Sequence, residues 1–268
     1  MLYKEFQTHP QLVPYVQLVW MMESGSDTDS TPKQQIMPDG IVELVFHYAD
    51  PWKTHVAGEQ PFVQPKSFAI SQMRKYIEIE SNGRTGFIAV RFYPWGAYHF
   101  FSEPIKNFLD NTISTEKLWP EHYDALVERL HNTKDHKALS ATIQQFLLDR
   151  LAEYKKADTR LDKAIMLIRE SKGLLSIKEI CEKTGFSKKQ LERKFVATLG
   201  TTPKIYARIS RFLNICHHLE NYKNKTLTQL TYECGYYDQA HFIKEFKEFS
   251  GFTPKEFYAR KNVAFADL

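Results

Sequence analysis

One pattern is written twice in this chain, and the repetition limits what the chain can fold into more than any other feature. The first copy reads Ile180-Cys181-Glu182-Lys183-Thr184-Gly185-Phe186-Ser187 and continues through Leu191, Phe195, Gly200 and Pro203. The second reads Leu230-Thr231-Tyr232-Glu233-Cys234-Gly235-Tyr236-Tyr237 and continues through Phe242, Phe246, Gly251 and Pro254. Ile180 and Leu230 are 50 residues apart, as are Gly185 and Gly235; the later pairs, Leu191–Phe242 to Pro203–Pro254, are 51 apart. One residue is therefore inserted just after the shared glycine. An internal repeat of this length sets the architecture before any local preference does.

Each copy predicts a short helix, a turn and a second helix. Ile177, Ile180 and Cys181 lie at i, i+3 and i+4, one face of a helix. Gly185 turns the chain at little steric cost, and Ser187 is a good N-cap for the second helix. Leu191, Phe195 and Leu199 then recur every four residues as a buried stripe, with Lys188, Lys189, Gln190, Arg193 and Lys194 largely off it. In the second copy Leu227 and Leu230 precede the turn at Gly235. Phe242, Phe246 and Phe249 form the stripe, and Asp238, Gln239, His241, Lys244 and Lys247 the polar face. This is the helix-turn-helix pattern. A basic helix face is often only a solvated face, but its recurrence in both copies favours contact with DNA. For Asp238 and Gln239, capping competes evenly with base reading. Glu192, Glu245 and Glu248 read as surface partners of nearby Lys and Arg. Between the copies Thr202 caps and Pro203 opens a helix with Ile205, Ile209, Phe212, Leu213 and Cys216 on its apolar face. Run to Glu220, it is about 27 Å long, near the roughly 34 Å between successive major grooves on one face of DNA.

Residues 160–261 resemble the AraC/XylS-type transcriptional regulators. The tract Gly235-Tyr236-Tyr237-Asp238-Gln239-Ala240-His241-Phe242, together with Phe246, Phe249, Gly251, Thr253 and Pro254, is similar to that family's second motif. Leu191-Glu192-Arg193-Lys194-Phe195 with Gly200 and Pro203 is similar to the first. The resemblance implies a seven-helix DNA-binding domain with recognition helices starting near Ser187 and Tyr237. Tyr237 departs from the pattern, since many relatives carry a small capping residue there; Asp238 then takes the cap.

Charge agrees with this division. Residues 1–150 hold 14 Lys and Arg against 18 Asp and Glu, a net −4; residues 151–268 hold 22 against 14, a net +8. The excess of cations lies on the half with the repeat, where phosphates are to be neutralised.

The length of 268 residues suits two domains, and the expected class is α+β. Residues 1–153 are expected to form a sensor or dimerisation domain, 154–159 a linker that includes Lys155, Lys156, Ala157 and Asp158, 160–262 the DNA-binding domain and 263–268 a tail. Strands are expected over 15–22, 41–48, 68–71, 76–80 and 85–92, with a polar loop over 23–33 and a turn at Met37-Pro38-Asp39-Gly40. Several short strands with turn signals suggest a small barrel or sandwich. Helices are expected over 95–101, 119–131, 135–153 and 160–170. The tracts Pro38-Asp39-Gly40-Ile41-Val42-Glu43-Leu44 and Arg91-Phe92-Tyr93-Pro94-Trp95-Gly96 resemble a cupin-like sensor region on one branch of AraC-type regulators. That resemblance implies a barrel that binds a small molecule or pairs two chains, and it names no ligand.

Trp20, Glu43, His47, Trp52, Arg91 and Trp95 are the candidate effector contacts. Core packing competes for the tryptophans, Trp119 included. Glu43 and His47 share a strand face, and plain exposure to water competes with a pocket role for both. A metal cupin wants closely spaced histidines, and His47 and His55 stand eight apart, so no metal and no cofactor are expected. Cys181, Cys216 and Cys234 have no C-x-x-C spacing and read as buried thiols. No catalytic set is visible, and the chain is not expected to be an enzyme. The alternative is an enzyme localised by the DNA-binding half, as in DNA-repair methyltransferases. That chemistry needs a nucleophilic cysteine outside the module, and residues 1–150 have none. The expected partner is double-stranded DNA, with a small-molecule effector, RNA polymerase and a second copy left open. With no apolar run of membrane length and no signal core after Met1, the expected place is the cytoplasm.

Overall fold

A computed structural model of the chain describes residues 1–25, 32–71, 73–101, 103–108, 110–133, 135–153, 158–221 and 226–259. The N-terminal half holds two antiparallel sheets. The larger is ordered β1 (Leu2–Phe6), β2 (Val16–Glu23), β9 (Gly86–Phe92), β4 (Glu43–His47), β7 (Ser67–Ile70) and β10 (Thr112–Ser114). The smaller is ordered β3 (Gln34–Ile36), β8 (Ile77–Glu80), β5 (Lys53–His55) and β6 (Phe62–Val63). Side chains alternate across a strand, and β9 is buried at every position because both its faces are covered. Ile88, Val90 and Phe92 join Val19, Met21, Leu44 and Phe46 in a core closed by α1 (Thr115–Leu118), α2 (Tyr123–His131) and α3 (His136–Glu153). Phe87 and Arg91 turn to the opposite side, into a cavity.

Three N-terminal expectations need correction. The strand expected over 41–48 is only Glu43–His47. The Asp39 carboxylate accepts from the Ile41 amide at 3.0 Å, which keeps the turn going past Gly40. The helix expected over 119–131 begins at Tyr123. Pro120 disfavours helical backbone at the residue before it, and Trp119 instead closes α1 with φ −141°. The helix expected over 95–101 is a single 3₁₀ turn, Ala97–His99. Five strands went unanticipated (β1, β3, β5, β6 and β10), each five residues or fewer. Most of the loop expected over 23–33 lies outside the described residues, as do residues 154–157 and 260–268.

Among the described residues the C-terminal half is seven helices: α4 (Thr159–Glu170), α5 (Ile177–Thr184), α6 (Lys188–Leu199), α7 (Pro203–Asn221), α8 (Leu227–Glu233), α9 (Gln239–Ser250) and α10 (Pro254–Tyr258). Asp158 and Thr159, assigned to a linker, belong to α4: the Asp158 carboxylate accepts from the Leu161 amide as N-cap. The expected stripes are buried in two cores. Leu161, Ile165, Ile180, Leu191, Phe195 and Tyr206 form one; Ile209, Phe212, Leu230, Phe242, Phe246 and Phe249 form the other. α7 runs through both, giving Tyr206 and Ala207 to the first and Ile209 to Cys216 to the second.

The halves also touch. Met37 enters the second helical core, the Gln35 amide donates to the Ser250 carbonyl at 3.1 Å, and Tyr76 stacks on Phe252 with centroids 6.1 Å apart. Gly40, at φ +74°, lies under Tyr206, where a Cβ would stand 2.9 Å from Cε2.

Candidate functional site: a nucleic-acid interface and an interior cavity

In the first repeat α5 closes on Gly185 at φ +70° and α6 opens three residues later. Ser187 and Gln190 form a reciprocal cap, with the Gln190 side chain accepting from the Ser187 amide at 2.9 Å. Arg160 braces the turn: it donates to the Thr184 and Gly185 carbonyls at 3.0 and 2.6 Å and lies over the Phe186 ring. Lys188, Lys189 and Arg193 are exposed along α6. Lys194 is half-buried and paired with Asp158, so the structure turns it toward α4 rather than leaving it outward with the others.

The second repeat shows where its extra residue goes. Phe186 and Tyr236 hold equivalent buried positions, and the inserted residue is Tyr237, which is 88% exposed. Asp238 takes the cap, accepting from the His241 amide at 2.7 Å, and α9 starts at Gln239 rather than at Tyr237. Gln239, His241, Lys244 and Lys247 are exposed. Glu245 is not the surface partner expected, being 2% exposed. Its carboxylate meets Arg208 at 2.6 Å and Arg211 at 3.5 Å, and accepts from the Tyr236 hydroxyl at 2.7 Å. Burial and that carboxylate push the Tyr236 hydroxyl well above its ordinary pKa, which keeps it a donor. Both arginines come from α7, so α9 is keyed to α7 by a charge cluster around the buried Glu245. Arg208 also binds the more exposed Glu248 at 2.6 Å.

Between the two sheets of the N-terminal half lies a cavity of about 490 Å³. Trp20, Glu43, His47, Trp52 and Arg91 all line it, so five of the six candidate effector contacts converge on one space. Glu43 and His47 share a face, as strand alternation requires, and that face looks into the cavity. Trp95 does not reach it. Its indole stacks on Tyr93 at 4.8 Å, donates to the Pro14 carbonyl at 3.0 Å and packs against the first helical core. Trp119 belongs to the core behind the larger sheet. Glu43 accepts from the Trp20 indole at 2.7 Å and lies 3.7 Å from Arg91, which also pairs with Asp39. Burial pushes the Glu43 carboxyl up, while Arg91 and Trp20 pull it back. His47 is held neutral: burial lowers it to about 4, against a weaker opposing bond to Gln64 at 3.0 Å. His55 pairs instead with Glu80 at 2.9 Å, and among the described residues no group of three His, Cys, Asp or Glu could hold a metal. Cys216 and Cys234 are buried and Cys181 half-buried.

Residues 180–260 match the family described as "Helix-turn-helix domain". This stretch of the chain, α5 to α10, is a helix-turn-helix domain. Residues 4–114 match a "Domain of unknown function (DUF6597)". Among solved structures the chain is similar to ToxT from Vibrio cholerae, at 13% identity and TM-score 0.48, covering 95% of this chain and 98% of that one. ToxT from strain SCE256, solved with an unsaturated fatty acid bound, is similar at 11% identity and TM-score 0.45, covering 90% and 93%. An AraC-type DNA-binding-domain protein from Chromobacterium violaceum is similar at 28% identity and TM-score 0.35, covering 38% of this chain and 95% of that one. No curated protein matches. No helix among the described residues is long and apolar enough to cross a membrane.

In the helix-turn-helix half the residues picked from sequence divide by their local bonds. Ser187, Gln190 and Asp238 hold helix starts and Lys194 holds α4, whereas Lys188, Lys189, Arg193, Tyr237, Gln239, His241, Lys244 and Lys247 are exposed. Sequence reasoning missed Gln17, Gln64, Phe68 and Phe87 in the cavity wall. The inward alternation of β4 could have pointed to the wall; its partners on other strands had no signal.

Proposed function

We propose that this chain is a one-component transcription regulator. The AraC-type half reads double-stranded DNA, and the N-terminal half, residues 1–153, answers to a small molecule in its cavity. The observation that carries the proposal is the double use of two short strands. In β3, Gln34 and Ile36 line the cavity while Gln35 between them holds the C-terminal end of α9. In β8, Ile77 and Ile79 line the cavity, and the adjacent Tyr76 stacks beyond α9 on Phe252. A ligand that moves this wall moves the second helix-turn-helix unit with it, provided it binds the two arrangements unequally.

On the DNA side Arg193 is the guanine-reading candidate in α6 and Gln239 the adenine-reading candidate in α9. Lys188, Lys189, Lys244 and Lys247 hold phosphates. Two recognition helices in one chain need no second copy to read a site. The cytoplasm, where the chromosome lies, is the compartment of this function.

The test is fluorescence anisotropy of the full chain on a duplex selected from a random library, over a salt series. Affinity is expected to fall steeply with salt, and Lys189→Ala to reduce the slope by about one. Arg193→Ala is expected to cost about 1–3 kcal/mol on the selected duplex and little on scrambled DNA. Equal loss on both would make Arg193 a phosphate contact, and affinity independent of salt would overturn DNA binding as the function.

A further inference from the structure

We propose that the cavity takes an organic amine, an ammonium head on an apolar body, and not a carboxylic acid. The inference rests on the cavity being the effector site. Three independent features point the same way.

The first is charge. Among the described residues lining the cavity the cation is Arg91, and it is already held between Asp39 and Glu43. Its Nε carries no hydrogen bond, but two carboxylates offset its single charge. Glu5 also lines the cavity. An entering carboxylate would meet an acidic surround with no unpaired cation among the described residues that line the cavity, whereas an ammonium would meet Glu43 and Glu5.

The second is the set of rings. Trp20 and Phe87 stand edge to face at 5.1 Å, Trp52 meets Phe87 at 5.8 Å and Tyr3 meets Trp20 at 5.6 Å. Clustered aromatic faces attract a desolvated cation and also bury an apolar body.

The third is hydrogen-bond polarity. With Gln64 donating through Nε2 to Thr54 at 3.0 Å, its Oε1 lies 3.0 Å from His47 Nε2, an arrangement that puts the imidazole proton on Nε2. His47 Nδ1 is then an acceptor, and it is buried without a partner, as is the Gln17 Oε1. An ammonium offers three donors and no acceptor, the complement of these two atoms.

Titration calorimetry of the full-length chain at neutral pH with phenylbutylamine, phenylbutanol and phenylbutyrate compares three heads on one body. The amine is expected to bind at least about tenfold more tightly than the acid. Glu43→Gln, which keeps an acceptor for Trp20, is expected to erase most of that preference while leaving the alcohol unchanged. Glu5→Gln, on an exposed strand where the side chain accepts from the Tyr3 hydroxyl, is expected to weaken the amine severalfold with no risk to folding. Acid binding as tight as amine binding, or no heat from any of the three, overturns the proposal. The broader function fails on a different readout: tight amine binding that leaves DNA affinity unchanged keeps the ligand class and removes its role as effector.

Discussion

Glu245 is buried and His47 half-buried, and each shows how a single side chain ties site to stability. Glu245 lies on a recognition helix yet faces inward, where Arg208, Arg211 and Tyr236 converge on it. Removing one member of a buried charge cluster leaves the others desolvated and unpaired. Glu245→Ala is therefore expected to destabilise the chain by about 3 kcal/mol, and Glu245→Gln by less, read as the urea midpoint of the helical signal. A shift under about 1 kcal/mol would mean that water replaces the carboxylate freely. His47 makes stability depend on pH. Its ordinary value is 6.5 and its folded value about 4. As pH falls through 6.5 the unfolded chain takes up a proton that the folded chain refuses until about 4. Stability is lost across that window, by roughly 3 kcal/mol in all. His47→Gln should flatten this limb of a urea midpoint series run from neutral pH to 4; an unchanged slope would place the titrating group elsewhere.

Among the elements, legibility tracked the length of the pattern. The two helix pairs could be read because glycine, cap and aromatic stripe recur at fixed offsets, and only the placement of the inserted residue needed the fold. Strands of two to five residues such as β3 and β6 carry too few alternations to stand out from loop. The cavity was half legible: Glu43 and His47 announce a common face, but nothing in the sequence pairs that face with β8 across the gap. Trp95 shows the limit of composition, since a large aromatic predicts burial without saying against which core. β3 is the element that matters most for signalling, because its alternate side chains serve the cavity and α9. Gln35→Ala removes its bond to Ser250 and should cost about 1–2 kcal/mol. It is also expected to leave DNA affinity in place while abolishing the change that a cavity ligand produces. Ligand response persisting in Gln35→Ala would move the coupling to Tyr76 or to the Gly40–Tyr206 contact.

For the whole molecule the deciding dimension is α7. Its 19 residues span about 28 Å, close to the roughly 34 Å between major grooves on one face of DNA. It is embedded in both cores, through Tyr206 and Ala207 in one and Ile209 to Cys216 in the other, and Arg208 and Arg211 lock its middle to α9. The two recognition helices are thus parts of one rigid body rather than beads on a tether. A tether tolerates any spacing that keeps both half-sites on one face, and a rigid body tolerates a single spacing. Inserting about 5 base pairs between the halves of a selected site turns them to opposite faces and should reduce affinity to that of one half-site. Inserting about 10 restores the face but lengthens the gap by a full turn, and a fixed α7 predicts that affinity stays low. Gel-shift titrations on the three duplexes separate the cases: recovery on the longest would mean that α7 bends or that the half-sites are read by two chains.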